Sequence, residues 1–237
     1  MVKKTRAKTD TNVQAALAEL EVDMVGVACI ADIKDTKLKE AALTLLPAAK
    51  SIVVMGMEVY PEFLNLTVPE RQMGTVNFND LLSRHVEYLR GRLLKASYDV
   101  AKASHKAGLK ALPLAGQGPA VDGRFLQAVI SYKHAAEAAG LGNIGMSSLF
   151  MTEKYGPRVQ LTVCLTEAAL ESTAGVAQKN CRYCNICVGK CPAKALGRPN
   201  PGEAYIINKY ACRNYVESAG GCSECMRVCP VASPIYK

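Results

Sequence analysis

No apolar run in this 237-residue chain approaches the roughly 20 residues that a membrane-spanning helix needs. The basic opening MVKKTRAKTD is followed by TNVQAALAEL rather than by an apolar signal-peptide core. No twin-arginine pair stands near the start, so a cytoplasmic location is expected, away from any membrane. Histidine is scarce. His85, His105 and His134 fall in helical patterns without metal-ligand spacing between them, and each reads as a surface or packing residue. Low-complexity segments are missing, and 49% hydrophobic with 21% charged residues excludes disorder. The only internal repetition is a pair of cysteine motifs.

Those motifs dominate what is present. Ten cysteines in a chain expected to be cytoplasmic call for metal or redox chemistry before structural disulfides, and eight of them lie between Cys181 and Cys229. The run CRYCNICVGKCP (181–192) has the spacing C-x2-C-x2-C-x3-C-P, and GCSECMRVCP (221–230) has C-x2-C-x3-C-P. In such runs three thiolates from one tight loop hold one cubane, while the fourth cysteine reaches a different cluster. Cys181, Cys184, Cys187 and the distant Cys229 are therefore expected on one [4Fe–4S] cluster. Cys191, Cys222, Cys225 and, by elimination, Cys212 are expected on a second. The rival is a pair of structural zinc sites, whose motifs do not usually interlock in this way or end in Cys-Pro. Nine Lys/Arg against three acids lie from Gln178 onward and supply much of the net charge of +8. Two clusters at roughly −2 each would cancel much of that excess, so a nucleic-acid partner is not expected.

Helical and extended patterns alternate through the first 170 residues, which implies an α/β sandwich. The patterns predict a helix capped by Asp10 or Thr11, strands over 22–30 and 51–59 and a helix over 38–46. A loop follows over 61–75, then a long helix over 77–107, a strand over 110–115 and a helix over 125–139. In 159–166 Val159, Leu161, Val163 and Leu165 alternate with Gln160, Thr162, Cys164 and Thr166, which predicts a strand with one buried face. A polar linker over 171–180 places a single cut in the chain, giving a core over 1–170 and a cysteine module over 171–237.

GLGNIG (140–145) matches the dinucleotide fingerprint letter for letter but in the wrong context, because a helix precedes it and an extended run follows. Gly140 reads as a left-handed helix cap. The other glycines allow a close approach, either to a ligand or to a neighbouring strand. Cys29 reads as a small buried hydrophobe; Cys164, on the polar side of its strand, is more open to chemistry. Asp122, Tyr98 and Tyr132 are candidate proton donors. Asp122 ranks first because it lies in a Gly-flanked loop after a predicted strand.

From Ala139 to Pro192 the run AGLGNIGMSSLFMTEKYGPRVQL, a strand, a linker and CRYCNICVGKCP resembles the shared core of cobalamin-dependent reductive dehalogenases and epoxyqueuosine reductases. The resemblance implies a nitroreductase-like α/β (α+β) sandwich followed by a small bacterial-ferredoxin-like module with two [4Fe–4S] clusters. It implies a corrinoid such as cobalamin, reduced through the clusters by an external donor of ferredoxin or flavodoxin type. The reaction implied is reduction of a small substrate or reductive processing of a corrinoid, on its own or carried by a partner protein. Gly140, Gly142, Asn143, Gly145, Ser147 and Ser148 are its implied corrinoid contacts, and Arg158 lies where the dehalogenases carry a pocket arginine. Where epoxyqueuosine reductases usually have Trp and Lys in the glycine loop, this chain has Asn143 and Met146. Their tRNA-binding helical repeats are not expected here, nor are the dehalogenases' export signal and insertions. The resemblance thus assigns neither tRNA nor an organohalide as substrate. A different class of function, a corrinoid-free electron-transfer protein, fits the same motifs; a flavin enzyme has no motif to support it, and a homodimer is left open.

Overall fold

The computed structural model describes residues 2–67, 78–116, 121–124, 126–175, 179–200, 202–203 and 205–231, with side chains from Asp10 onward. In chain order the elements are α1 (Val2–Leu17), β1 (Met24–Cys29), α2 (Thr36–Leu45), β2 (Ser51–Glu58), α3 (Pro61–Leu66), α4 (Phe78–Lys106) and β3 (Ala111–Pro113). β4 (Val121–Asp122), β5 (Gln127–Ala128), α5 (Tyr132–Ala138), β6 (Asn143–Ile144), β7 (Phe150–Met151) and β8 (Val159–Thr166) follow. The chain then forms α6 (Ile186–Lys190), β9 (Leu196–Gly197), β10 (Ile206–Ile207), α7 (Lys209–Ser218) and α8 (Glu224–Arg227). Two compact units are interleaved in sequence, where the sequence alone suggests one cut after residue 170. The first takes 1–57, 89–141 and 160–177; the second takes 58–88, 142–159 and 178–237.

The first unit is built on a four-stranded sheet in the order β1-β2-β8-β3. β1 runs antiparallel to β2 and β3 antiparallel to β8. The Lys50 N–H donates to the Thr166 carbonyl, pairing the start of β2 with the end of β8, so the central pair is antiparallel too. Ile52, Val53, Val54 and Met55 are all fully buried, as a run of β-branched and long apolar residues in a central strand should be. On one face Val27, Val53, Met55 and Cys164 meet Val13 and Leu17 of α1 and Leu93, Ala96, Val100 and Ala101 of α4. The i, i+3, i+4, i+7 spacing on α4 turns one stripe of that helix onto the sheet. The other face is covered as well. Leu141, just past α5, lies against Gly26, whose side of β1 is opposite that of Val27.

The strand β8 departs from expectation, because Thr162, Cys164 and Thr166 are as buried as the apolar residues between them. A central strand covered on both faces has no solvent side. The hydroxyls are accommodated by hydrogen bonds: Thr162 Oγ1 donates to the Leu114 carbonyl at 2.9 Å, and Thr166 Oγ1 pairs with Ser104 Oγ at 2.9 Å. Cys164 is a core residue, and burial pushes its thiol up to about 12. Three helix boundaries also differ. α1 begins at Val2, and Asp10 accepts the Ala169 N–H instead of capping. α5 begins at Tyr132, capped by Ser131, because β5 pairs with β4 over part of the segment read as helix. Pro61 opens α3 at the start of the predicted 61–75 loop, as proline at a first helical position can. Residues 68–75 of that loop lie outside the described residues. No helix among the described residues is long and apolar enough to cross a membrane.

Candidate metal centre and the residues around it

The second unit holds the eight clustered cysteines. Tyr183 and Asn185 take left-handed backbone conformations (φ 50° and 61°) between Cys181, Cys184 and Cys187, curling the three-cysteine loop tightly before α6 begins. Cys181, Cys184, Cys187 and Cys229 line one small cavity of about 20 Å³. Met146, Met151, Pro230 and Val231 give that cavity apolar walls; Ser147 lies on its rim, and Cys225 reaches it from α8. Burial pushes the Cys229 thiol up to about 11, with Cys181, Cys184 and Cys187 adding like-charge repulsion.

The remaining cysteines form a second neighbourhood. Burial comes first in raising Cys212, followed by Cys222 and Cys191. Cys225 is pushed up to about 12, mainly by burial, then by Cys222, Cys212, Cys187 and Cys191. The two sets meet at Cys187 and Cys225, where α6 packs against α8. In the second set Cys191 Sγ accepts the Ala195 N–H at 3.3 Å. Half-buried thiols whose neighbours raise one another cannot all ionise without a countercharge, and a metal centre bound by thiolates supplies one. All ten cysteines are free thiols. Among the described residues no three His, Cys, Asp or Glu side chains converge tightly enough to hold a single metal ion.

The glycine loop sits on this arrangement as scaffold. In the first unit Gly140 has φ 73° and follows α5, with its N–H on the Glu137 carbonyl and the Leu141 N–H on the Ala136 carbonyl, so the helix-cap reading holds. In the second unit Asn143 and Ile144 pair with Met151 and Phe150 in a short hairpin turned by Ser148, which has φ 63°. A Cβ on Gly142 would lie 2.0 Å from the Met151 carbonyl oxygen, and one on Gly145 would lie 2.3 Å from Met151 Sδ. Asn143 Oδ1 accepts the Asn180 N–H at 2.7 Å, and Asn180 Nδ2 donates to the Met151 carbonyl at 3.0 Å. Asn180 immediately precedes Cys181. The hairpin thus fixes the point at which the chain enters the cysteine loop, and the close approach these glycines permit is to a neighbouring strand.

The candidate proton donors Asp122, Tyr98 and Tyr132 belong to the first unit, and Arg158 belongs to the second. Asp122, on the β4–β5 hairpin, accepts from the Arg124 backbone N–H at 2.9 Å and from its Nη2 at 2.9 Å. Tyr98 lies on α4 and is 51% exposed. Tyr132 is buried, donates to the Ala115 carbonyl at 3.0 Å, and has its hydroxyl pushed up to about 12 by burial, partly offset by Thr162. Arg158 is buried, with Nη1 2.8 Å from Glu58 Oε1. Within the second unit, Arg158 does not line the cysteine cavity. Sequence reasoning missed Asn180, Glu58 and the two methionines of the cavity wall. Only Asn180, beside the first cysteine, carried a positional signal.

A four-stranded antiparallel sheet with helices on both faces, interleaved with a cysteine-rich unit, is an architecture found in solved reductases. A catabolic reductive dehalogenase superposes with TM-score 0.71 at 16% identity, over 93% of this chain and 31% of that one. An epoxyqueuosine reductase bound to a modified tRNA stem loop gives 0.57 at 19%, over 95% and 66%. These likenesses establish the fold. No family model matches the chain. Sequence relatives are a tetrachloroethene reductive dehalogenase of Desulfitobacterium hafniense, 30% identical over 40% of this chain and 21% of its own length, and an epoxyqueuosine reductase of Synechocystis, 28% identical over 78% and 64%. The chain thus spans about a fifth of the first relative and just under two thirds of the second. With named relatives and structural neighbours of both kinds, it fits a member of the epoxyqueuosine reductase and reductive dehalogenase superfamily.

Proposed function

We propose that the protein is an iron–sulfur oxidoreductase. Cys181, Cys184, Cys187 and Cys229 hold one [4Fe–4S] cluster, and Cys191, Cys212, Cys222 and Cys225 hold a second. The observation that carries this reading is the division of eight thiols into two neighbourhoods that meet at Cys187 and Cys225, with Cys181, Cys184, Cys187 and Cys229, joined by Cys225 of the other set, around one apolar-walled cavity. Two such clusters supply stepwise one-electron transfer. Around them the chain excludes water with Met146, Met151, Pro230 and Val231, and the Asn143–Asn180 bond positions the first ligand. Reductases among the relatives support an enzyme of this class; a small-molecule substrate and a reducing compartment are parts of the proposal.

A corrinoid as the electron acceptor is the finer part of the proposal. It is supported by the fold shared with a dehalogenase whose structure is described as suggesting a mechanism for B12-dependent dehalogenation, with TM-score 0.70. The chain's own residues make no specific demand for that group. Gly142, Asn143 and Gly145 are engaged in the hairpin. That engagement favours the second reading, an electron-transfer protein that reduces a partner such as a corrinoid protein. Anaerobic cluster reconstitution followed by cobalamin titration separates the two. Stoichiometric co-elution on gel filtration, with the bound cobalamin reduced through the clusters, establishes the reductase reading. Two intact clusters with no cobalamin binding remove the corrinoid from the proposal and leave electron transfer.

A further inference from the structure

Two cysteines of the second set, Cys191 and Cys212, lie beside a small exposed face of the second unit. Cys191 Sγ accepts the Ala195 N–H, the Ala195 carbonyl accepts the Asn208 N–H, and the Asn208 carbonyl accepts the Cys212 N–H. Three hydrogen bonds thus tie two cysteines of one set to the β9–β10 hairpin and the start of α7. On that hairpin and helix start the outward side chains are apolar in the middle and basic around it: Ile206 is 39% exposed, Tyr210 is 53% exposed, and Lys194, Arg198 and Lys209 are exposed. Of the three glutamates from residue 178 onward, Glu217 pairs with Arg213 and Glu224 with Arg227, while Glu203, exposed between β9 and β10, carries a charge that offsets one of the three bases Lys194, Arg198 and Lys209.

We infer that this face is the docking site for an acidic one-electron carrier protein. The inference rests on the iron–sulfur reading proposed above. An apolar centre with a charged rim suits a small, transient redox interface, and the basic rim selects and steers a partner of opposite sign. The carrier gives up one electron and is oxidised by one unit; the cysteine-bound centre beside the face takes it up and is reduced by one. No bond is made or broken in that step. The buried Ala195 links this face to the sulfur of Cys191 through one hydrogen bond, so docking there would place the carrier beside the second set of cysteines.

The test uses the full-length, cluster-loaded protein with a reduced plant-type [2Fe–2S] ferredoxin as the probe, in stopped flow and in binding titrations. For the wild type, association and electron-transfer rates should fall steeply between low and physiological salt. Lys194→Glu with Arg198→Glu should lower both rate and affinity by at least roughly tenfold at low salt. Ile206→Ala should weaken affinity without changing the salt dependence. Lys102→Glu with Lys106→Glu, on α4, should change neither. Reduction by dithionite should be the same in every variant, which shows that the clusters are intact. Wild-type rates insensitive to salt, or equal rates in the Lys194/Arg198 variant and the wild type, overturn the inference. So does an RNA stem loop that binds this face more tightly than the ferredoxin. Failure of the wild type to assemble clusters refutes the iron–sulfur reading instead, and is visible in its absorbance before any carrier is added.

Discussion

Replacing Gly142 by alanine separates two explanations of the glycine loop. The new Cβ would sit 2.0 Å from the Met151 carbonyl oxygen, well inside van der Waals contact, so one strand of the β6–β7 hairpin must move by more than 1 Å. That carbonyl also accepts from Asn180 Nδ2, and the opposing Asn143 accepts the Asn180 N–H, so movement strains both bonds. Overpacking costs about 1–3 kcal/mol, and each of the two hydrogen bonds contributes about 1 kcal/mol. The sum, about 3–5 kcal/mol, is a large share of a typical domain's total stability. Thermal unfolding of the metal-free protein should show a midpoint about 6–20 °C lower. Iron loading of the set that begins at Cys181 should suffer more than that of the other set. As a control, Gly91→Ala on α4 meets nothing within 4 Å and should stabilise by about 0.5–1 kcal/mol. If Gly142→Ala leaves unfolding and iron content unchanged and weakens only cobalamin binding, the packing argument is refuted and the glycine serves a ligand.

Arg158→Met should destabilise by about 1–3 kcal/mol by removing the ion pair with Glu58, and adding Glu58→Met should restore part of the loss; urea midpoints of the cycle check it. His85 stacks on Phe63, accepts the Tyr60 N–H through Nε2, and has its pKa lowered by burial. Its stabilising contribution is therefore present above pH 6.5 and lost as pH falls through the lower folded value, so His85→Phe should flatten the acid limb of a stability–pH profile. The Cys164 thiol, pushed up to about 12, should resist alkylation in the native metal-free protein while the exposed Cys184 and Cys222 react, as peptide mapping would show.

The sequence reading reached furthest where chemistry fixes spacing. Cys-x2-Cys loops leave few ways to surround a cluster, and the structure gathers the eight cysteines of the two motifs and Cys212 in the second unit. Apolar runs such as SIVVMGME announced β2, since a strand buried on both faces can hold little else. Alternation misled at β8 because Thr162 and Thr166 satisfy their hydroxyls inside the core, so polarity there did not mean exposure. The ion pair of Arg158 with Glu58 spans 100 residues of sequence and the Asn143–Asn180 tether spans 37. Neither leaves a local pattern, and only the folded chain brings the partners together.

The two-cluster claim is tested most directly by counting iron and acid-labile sulfide after anaerobic reconstitution of the wild type and two double variants. The wild type should hold about eight irons and eight sulfides per chain. Cys181→Ala with Cys229→Ala should remove one cluster and leave about four irons, whereas Cys181→Ala with Cys191→Ala should remove both. Four irons retained in the second variant and none in the first would show that each motif binds its own cluster in sequence order, contradicting the interlocked assignment. Zinc in place of iron would contradict the redox centre altogether.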